Sequence, residues 1–279
     1  MIQICINGTF QPADKPVILA GNRSYRYGNG LFETMKVSSE KILLETLHFE
    51  RLFSGMTLLG MKIPVHFTAA RLKNEILSLC RKNKAEKLAR VRLSVYHGNG
   101  GIYDYPGPAG YLIESWPLDE GMNRLNENGL VTDIFPDARK TCDQYSTLKS
   151  SGFLPYALAA QYAKKNKLND CFLLNTDGYL ADSTIANIFL IRQGRIRTPS
   201  LSEGCIAGVM RKHLIGQFQE HGMAVEETRI QINDLLEADE IFLSNAIRGI
   251  RWVGRFREKQ FGCENTRGLH ERFIQTISS

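Results

Sequence analysis

Short polar turns recur along this chain between runs of strand-forming residues, and they limit the fold more than any other feature. Residues 2–6 alternate apolar and polar and run into Asn7-Gly8, a pair that accepts positive φ at both positions of a tight hairpin. Residues 32–37 and 41–44 flank the turn Ser38-Ser39-Glu40, and Asp177-Gly178 and Gln193-Gly194 mark further hairpins. Hairpins join antiparallel strands, whereas parallel neighbours need a long crossover. Strands are also expected over 91–96, 111–116, 131–135, 171–174, 187–191, 224–227 and 240–244. Apolar residues at helical spacing predict helices over 47–59, 67–82 and 154–164, one from Gly208 to about His221, and a short one around Asp234. Hairpins with separated helices give an α+β protein, not a chain of βαβ units.

Residues 118–128 turn polar and lose periodicity, which predicts a first domain over 1–117, a linker over 118–128 and a second domain over 129–279. At 279 residues the chain has ample core for two domains, and 43% hydrophobic with 23% charged residues suits a globular protein. The net charge of +6 raises the question of nucleic acid, but the basic residues are scattered and lack interleaved aromatics. The densest basic cluster, Lys164-Lys-Asn-Lys167, closes an expected helix, where cations suit the helix dipole. No nucleic-acid partner is expected; the positive charge suits a small anionic substrate and a phosphorylated cofactor. Cysteines at 5, 80, 142, 171, 205 and 263 form no C-x-x-C pair and share no spacing with histidine, so neither a metal site nor a disulfide framework is expected. No apolar stretch approaches the roughly twenty residues that span a bilayer, and the N-terminal strand meets a turn where a signal peptide would continue. A cytoplasmic protein without a membrane partner is the expectation.

Lys149 is followed by Asp182-Ser-Thr-Ile-Ala-Asn187-Ile-Phe189, by Thr198-Pro199, and by Gly204-Cys-Ile-Ala-Gly208-Val-Met-Arg211. Pyridoxal-phosphate chemistry needs a lysine amine for the aldehyde, an acid near the pyridine nitrogen and a set of phosphate donors. Lys149 and Asp182 supply the first two, and Gly208, Val209 and Met210 open a helix whose N-terminal amides bind phosphate without a basic side chain. Each residue also has a plainer reading: Lys149 as a solvated loop lysine, Asp182 as a turn aspartate, Asn187 as the start of an apolar strand, Asn245 as a loop residue at a strand end. A lysine in the cofactor role must be partly desolvated or near positive charge to act as nucleophile and base.

At these residues the chain resembles the class IV aminotransferases, the fold type IV pyridoxal-phosphate family. Tyr27-Gly-Asn-Gly-Leu-Phe-Glu-Thr34 resembles that family's Tyr-Gly-Asp-Gly-x-Phe-Glu-Thr segment, and His48-Phe-Glu-Arg51-Leu52 its His-x-x-Arg-Leu segment. The resemblance implies a small N-terminal α/β sandwich-like domain, a larger pseudo-barrel domain, a cofactor cleft between them, and a homodimer. It assigns cofactor phosphate to Arg51, the aldehyde to Lys149, and the ring nitrogen to Asp182, where the family carries a glutamate one methylene longer. It places Asn187, Asn245 and Ala246 at the cofactor.

Two positions mark the branch. Ser244-Asn245-Ala246 is similar to lyase-like members, and Leu154 stands five residues after Lys149, where branched-chain aminotransferases carry a tyrosine; Tyr156 is read as packing. Gly98-Asn99-Gly100-Gly101 lacks a full G-x-G-x-x-G and resembles the lyase-like Arg-Gly-x-Gly-Gly, with His97 in the arginine's place. Lys36, Arg90, Arg92 and His97 are the candidates for substrate carboxylates, and Arg90 and Arg92 share a strand face. The resemblance implies a lyase that converts 4-amino-4-deoxychorismate to pyruvate and the folate precursor 4-aminobenzoate. Its alternatives are a branched-chain or D-amino-acid aminotransferase using the same lysine, and a pyridoxal-phosphate-binding protein with little catalysis.

Overall fold

The computed structural model describes residues 2–105 and 107–278, so Met1 and Ser279, at the ends of the two expected domains, lie outside the described residues. The chain forms two compact units, Met1–Gly121 with Lys149–Phe153, and Met122–Leu148 with Leu154–Ser279.

The first unit contains β1 (Gln3–Ile6), β2 (Thr9–Pro12), α1 (Arg23–Tyr27), β3 (Leu31–Ser38), β4 (Lys41–Ile42), α2 (Glu45–Leu58), α3 (Ala69–Lys82), β5 (Leu88–Tyr96) and β6 (Gly110–Pro117). Its strands form one sheet in the order β2-β1-β6-β5-β3-β4, antiparallel throughout. The turns behave as the sequence demands. Asn7 and Gly8 have φ of 49° and 87°, and Ser39 and Glu40 have 47° and 61°, the paired positive φ that matches strand twist in a two-residue hairpin. Ser39 and Glu40 adopt it without a glycine.

One face of this sheet carries Leu31, Met35, Val37, Val91, Leu93, Val95 and Ile113, all buried. Against it pack α2, through Phe49, Leu52 and Met56, and α3, through Leu72, Ile76 and Leu79. Thr68 caps α3 by accepting from the Arg71 amide at 3.2 Å. At about 1.5–3 kcal/mol for each buried large apolar side chain, this two-layer core dominates the unit's stability.

The second unit contains β7 (Leu130–Lys140), α4 (Leu154–Lys165), β8 (Asp170–Asn175), β9 (Leu180–Ser183), β10 (Asn187–Arg192), β11 (Arg195–Pro199), α5 (Val209–Glu220), β12 (Val225–Thr228), α6 (Ile232–Glu237), β13 (Glu240–Asn245), β14 (Gly249–Phe256), β15 (Lys259–Gln260) and α7 (Glu264–Phe273). The main sheet runs β12-β11-β10-β13-β14-β7-β8-β9, with β15 on β14, and it curls so that β9 returns to β10 and β11. Alternation along the strands fills both faces. Ile188, Leu190, Ile241, Leu243, Val253, Phe172 and Phe256 form the inner cluster. On the other face Phe189 stacks on Phe242 at 4.8 Å, and Phe218 of α5 and Phe273 of α7 join them edge-on.

Two features differ from the sequence expectation. The pairs β7–β8 and β11–β12 are parallel, joined across α4 and α5, so the unit holds two βαβ crossovers among its hairpins. Periodicity locates strands but does not set their direction. Residues Lys149–Phe153 group with the first unit, although they fall inside the expected second domain. The reason is backbone pairing: the Phe32 amide donates to the Lys149 carbonyl at 2.9 Å and the Ser151 amide to the Gly30 carbonyl at 2.8 Å.

Candidate active site

In the first unit, strand register settles which side chains share the face opposite the helices. Phe32 pairs with Ser94, Thr34 with Arg92 and Lys36 with Arg90 across β3 and β5, and Arg92 pairs with Glu114 and Arg90 with Trp116 across β5 and β6. Residues directly opposite on an antiparallel pair project to one side. Lys36, Arg90 and Arg92 therefore line one face, as expected for the two arginines. Burial lowers the pKa of Lys36 and of Arg92, and raises that of Glu114.

Phe32 organises this face. The Arg92 guanidinium lies 3.7 Å from its ring centroid, and the Lys149 ammonium lies 4.5 Å from the same centroid and 5.5 Å from that of Phe153. Phe153 meets Phe32 edge-on at 5.4 Å. Lys149 is thus held against aromatic surface, unlike a solvated loop lysine. Gly30 makes the approach possible, since a Cβ there would stand 2.8 Å from Ser151 Oγ and 2.9 Å from the Val95 carbonyl.

On the helix-facing side of β3, Glu33 is buried between two partners. Arg51 donates to it through Nε and Nη2, and His48 Nδ1 lies 2.7 Å from Oε2. Burial alone would raise the Glu33 pKa, but the Arg51 guanidinium and His48 hold it down at about 2. Arg51, the expected phosphate ligand, is oriented by this contact. His97 follows Tyr96, the last residue of β5. It is buried at the end of β5 beside Arg23, its amide donates to Ser24 Oγ, and burial with the Arg23 charge lowers its pKa. Its Nδ1 has no partner among the described residues.

In the second unit the structure gathers Asp182, Asn187, Gly208 and the loop after β13. Asp182, 2% exposed, accepts from Asn187 Nδ2 at 2.9 Å, the Ile206 amide at 2.8 Å, the Tyr156 hydroxyl at 2.8 Å and Lys140 Nζ at 3.1 Å. Burial and then the Asp182 charge push the Tyr156 hydroxyl pKa well above its usual value. Tyr156, read from sequence as packing, therefore makes a polar contact as well. Lys140 carried no sequence signal at all, because a lysine nine residues before Lys149 belongs to no local motif. Two residues after Asp182, the Thr184 hydroxyl donates to buried Asp170 at 2.7 Å.

Asn187 pairs with Ser244 across β10 and β13, which places Asn245 and Ala246 at the same end of the sheet. Asn245 Oδ1 accepts from the Ile247 and Arg248 amides at 3.0 and 2.9 Å, which fixes the side-chain amide in the turn. Ser244 Oγ is buried with no partner among the described residues. Helix α5 starts at Val209 with Gly208 as its N-cap, and no side chain caps its first amides. Uncapped helix amides, an orphaned buried hydroxyl and an amide donor suit a phosphate group.

Comparison with known proteins agrees with this chemistry. Residues 30–256 match the family described as amino-transferase class IV. The aminodeoxychorismate lyase of Bacillus subtilis is 27% identical over 94% of this chain and 89% of its own length. The branched-chain-amino-acid aminotransferase of Pseudomonas aeruginosa is 26% identical over 90% and 85%. The fold matches the branched-chain aminotransferase of Thermoproteus uzoniensis with a TM-score of 0.88 at 21% identity, covering 99% of this chain and 95% of that one. No helix among the described residues is long and apolar enough to cross a membrane. With its match extending across both units, the chain belongs to the class IV aminotransferases, a pyridoxal-phosphate-dependent family of enzymes.

Proposed function

We propose that the chain is a pyridoxal-phosphate-dependent lyase that converts 4-amino-4-deoxychorismate to 4-aminobenzoate and pyruvate, supplying a folate precursor. The observation that carries this reading is the charge on the substrate-facing side of β3, β5 and β6. Three cations, Lys36, Arg90 and Arg92, stand there against one carboxylate, Glu114. That balance suits an amine bearing two carboxylates, as this substrate does. A branched-chain amino acid brings one carboxylate and an apolar side chain, and fits a face that carries buried Lys36, half-buried Arg92 and exposed Arg90 less well. Asn245-Ala246 and the exposed Leu154 support the same branch.

In this reading Lys149 holds the cofactor's aldehyde, Arg51, Asn245 and the amides of Gly208, Val209 and Met210 hold its phosphate, and Asp182 and Asn187 lie at its ring. The bound cofactor supplies an electron-withdrawing ring that spreads the charge left when a carbon loses its proton. Lys149 Nζ, released by the incoming amine, takes that proton from the amine-bearing carbon. Arg90, Arg92 and Lys36 fix the carboxylates so that this carbon meets the lysine. The homodimer implied by the resemblance belongs to the proposal, and exposed Ile102, Tyr103 and Tyr105 offer apolar surface for it. A cytoplasmic setting, which suits a folate precursor, belongs to it too.

A second reading, an amino-acid aminotransferase using the same lysine, is favoured by the 26% identity to the Pseudomonas aminotransferase over 90% of the chain. One experiment separates them. The purified protein is mixed with 4-amino-4-deoxychorismate, and separately with alanine plus 2-oxoglutarate. Release of 4-aminobenzoate is expected in the first; exchange of the amino group in the second without any 4-aminobenzoate would overturn the lyase assignment.

A further inference from the structure

Asp182 carries one negative charge inside the second unit, and the structure answers that charge with a cation of the chain. Oδ2 accepts from Lys140 Nζ, the Tyr156 hydroxyl and the Ile206 amide, and Oδ1 accepts from Asn187 Nδ2. A carboxylate offers about four lone-pair sites, so the group is close to saturated. Lys140 is the last residue of β7 and Asp182 lies in β9, with β8 between them. The lysine reaches past the intervening strand to make the contact, and both side chains are buried, 8% and 2% exposed. Its ammonium also donates to the Ser146 carbonyl at 3.3 Å and lies 5.0 Å from the Tyr156 ring centroid.

Among the described residues, the other titratable groups that meet Asp182 add no competing positive charge. Tyr156 is a neutral phenol, and burial followed by the Asp182 charge pushes the Cys205 thiol up to about 12, so it too is neutral. Arg211 donates to the Pro199 carbonyl and to Glu227, whose carboxylate meets its charge. Among the described residues, Lys140 is therefore the cation paired with Asp182.

A lone carboxylate beside a pyridine nitrogen favours the protonated ring, because the pair is then neutral. With Lys140 present the pair is neutral already, and a proton on the ring would add a second positive charge with one negative charge to share. We propose that Lys140 is a positioning residue that takes over the counter-charge of Asp182, so that the cofactor's ring nitrogen is held unprotonated in this chain. The proposal rests on the cofactor reading above. An unprotonated ring withdraws electrons less strongly, which suits a substrate whose product gains aromatic stabilisation of its own, as 4-aminobenzoate does.

The test is the 15N resonance of pyridoxal phosphate, labelled at the ring nitrogen and bound to the full-length protein. A neutral-pyridine position is expected in the unmodified protein, a shift toward the pyridinium position in Lys140→Met, and a return in Lys140→Arg. Tyr156→Phe removes a hydrogen bond but no charge and should leave the resonance in place. A pyridinium resonance in the unmodified protein would overturn the proposal, and this arm stands even where Lys140→Met does not fold. So would a folded Lys140→Met whose resonance does not move. A protein that retains no label after dialysis would overturn the cofactor reading itself, and is told apart by the missing bound signal.

Discussion

Asn187 Oδ1 occupies the space that a Cβ on residue 208 would need, with Asn187 Cγ 3.1 Å from the same point. Gly208 has φ of −65°, which any residue adopts, so glycine is required here for space and not for backbone freedom. The contact ties the acid cluster to the start of α5, because Asn187 Nδ2 donates both to Asp182 and to the Ile206 carbonyl.

Gly208→Ala follows directly. A methyl group normally stabilises a glycine site by about 0.4–1 kcal/mol through the unfolded chain, whereas overpacking a fixed neighbour costs about 1–3 kcal/mol. Here the second effect wins. The variant is expected to melt several degrees lower and to bind pyridoxal phosphate more weakly, since Asn187 must move and the first amides of α5 with it. A thermal melt with a cofactor titration checks both, and a melt unchanged or raised would contradict the steric argument.

Glu33→Gln tests the buried cluster of the first unit. Removing the charge leaves Arg51 and His48 facing a neutral amide, and taking one charge from a buried pair costs about 3–5 kcal/mol. The pH dependence has a definite sign. The Glu33 pKa falls from 4.5 to about 2 on folding, so its contribution is complete above 4.5 and is lost as pH drops toward about 2. The unmodified protein should lose denaturant resistance across that interval more steeply than Glu33→Gln, and coincident slopes would show that the cluster carries no linked stability.

Much of this architecture is legible in the residues, and the gaps have physical causes. The Asn7-Gly8 and Gln193-Gly194 hairpins, the start of α5 after Gly208 and the shared face of Arg90 and Arg92 follow from turn chemistry and strand period, both of which are local. Leu180–Ser183 escapes notice as a strand because it is short and buried on both faces, which removes the alternation. The Lys140–Asp182 pair spans 42 residues and the strand β8, so only the assembled sheet brings it together. Tyr156 shares that reason: its hydroxyl meets an acid 26 residues away. His97 is singled out by its place in a motif, whereas its burial beside Arg23 comes from residues distant in sequence.

Lys36 and Arg92 should govern the affinity for a dianionic substrate. Loss of one hydrogen bond to a charged group costs about 1.5–3 kcal/mol, or roughly 10–100-fold in kcat/KM. Lys36→Met and Arg92→Ala are therefore expected to raise KM in that range. Burial lowers the Lys36 pKa from 10.5, so its charge is lost earlier than that of an exposed lysine as pH rises. The alkaline fall of kcat/KM should reflect this, and Lys36→Arg should move the fall to higher pH. An alkaline limb that ignores Lys36→Arg would remove Lys36 from substrate binding.

Lys149 and its aromatic seat make separable predictions. Lys149→Ala removes the amine that holds the aldehyde, so borohydride should no longer fix the cofactor to the protein, a change read directly as a missing mass increment. Phe32→Leu keeps an apolar side chain but takes away the ring that faces both Lys149 and Arg92. Such contacts are worth about 0.5–2 kcal/mol each. The variant should stay folded and still be fixed by borohydride at Lys149, while kcat/KM falls about tenfold because the lysine and the arginine lose their common support. Unchanged kinetics in Phe32→Leu would mean that the ring serves only to pack the face, and that the geometry of Lys149 is set by the backbone pairing of Lys149–Phe153 to β3 instead.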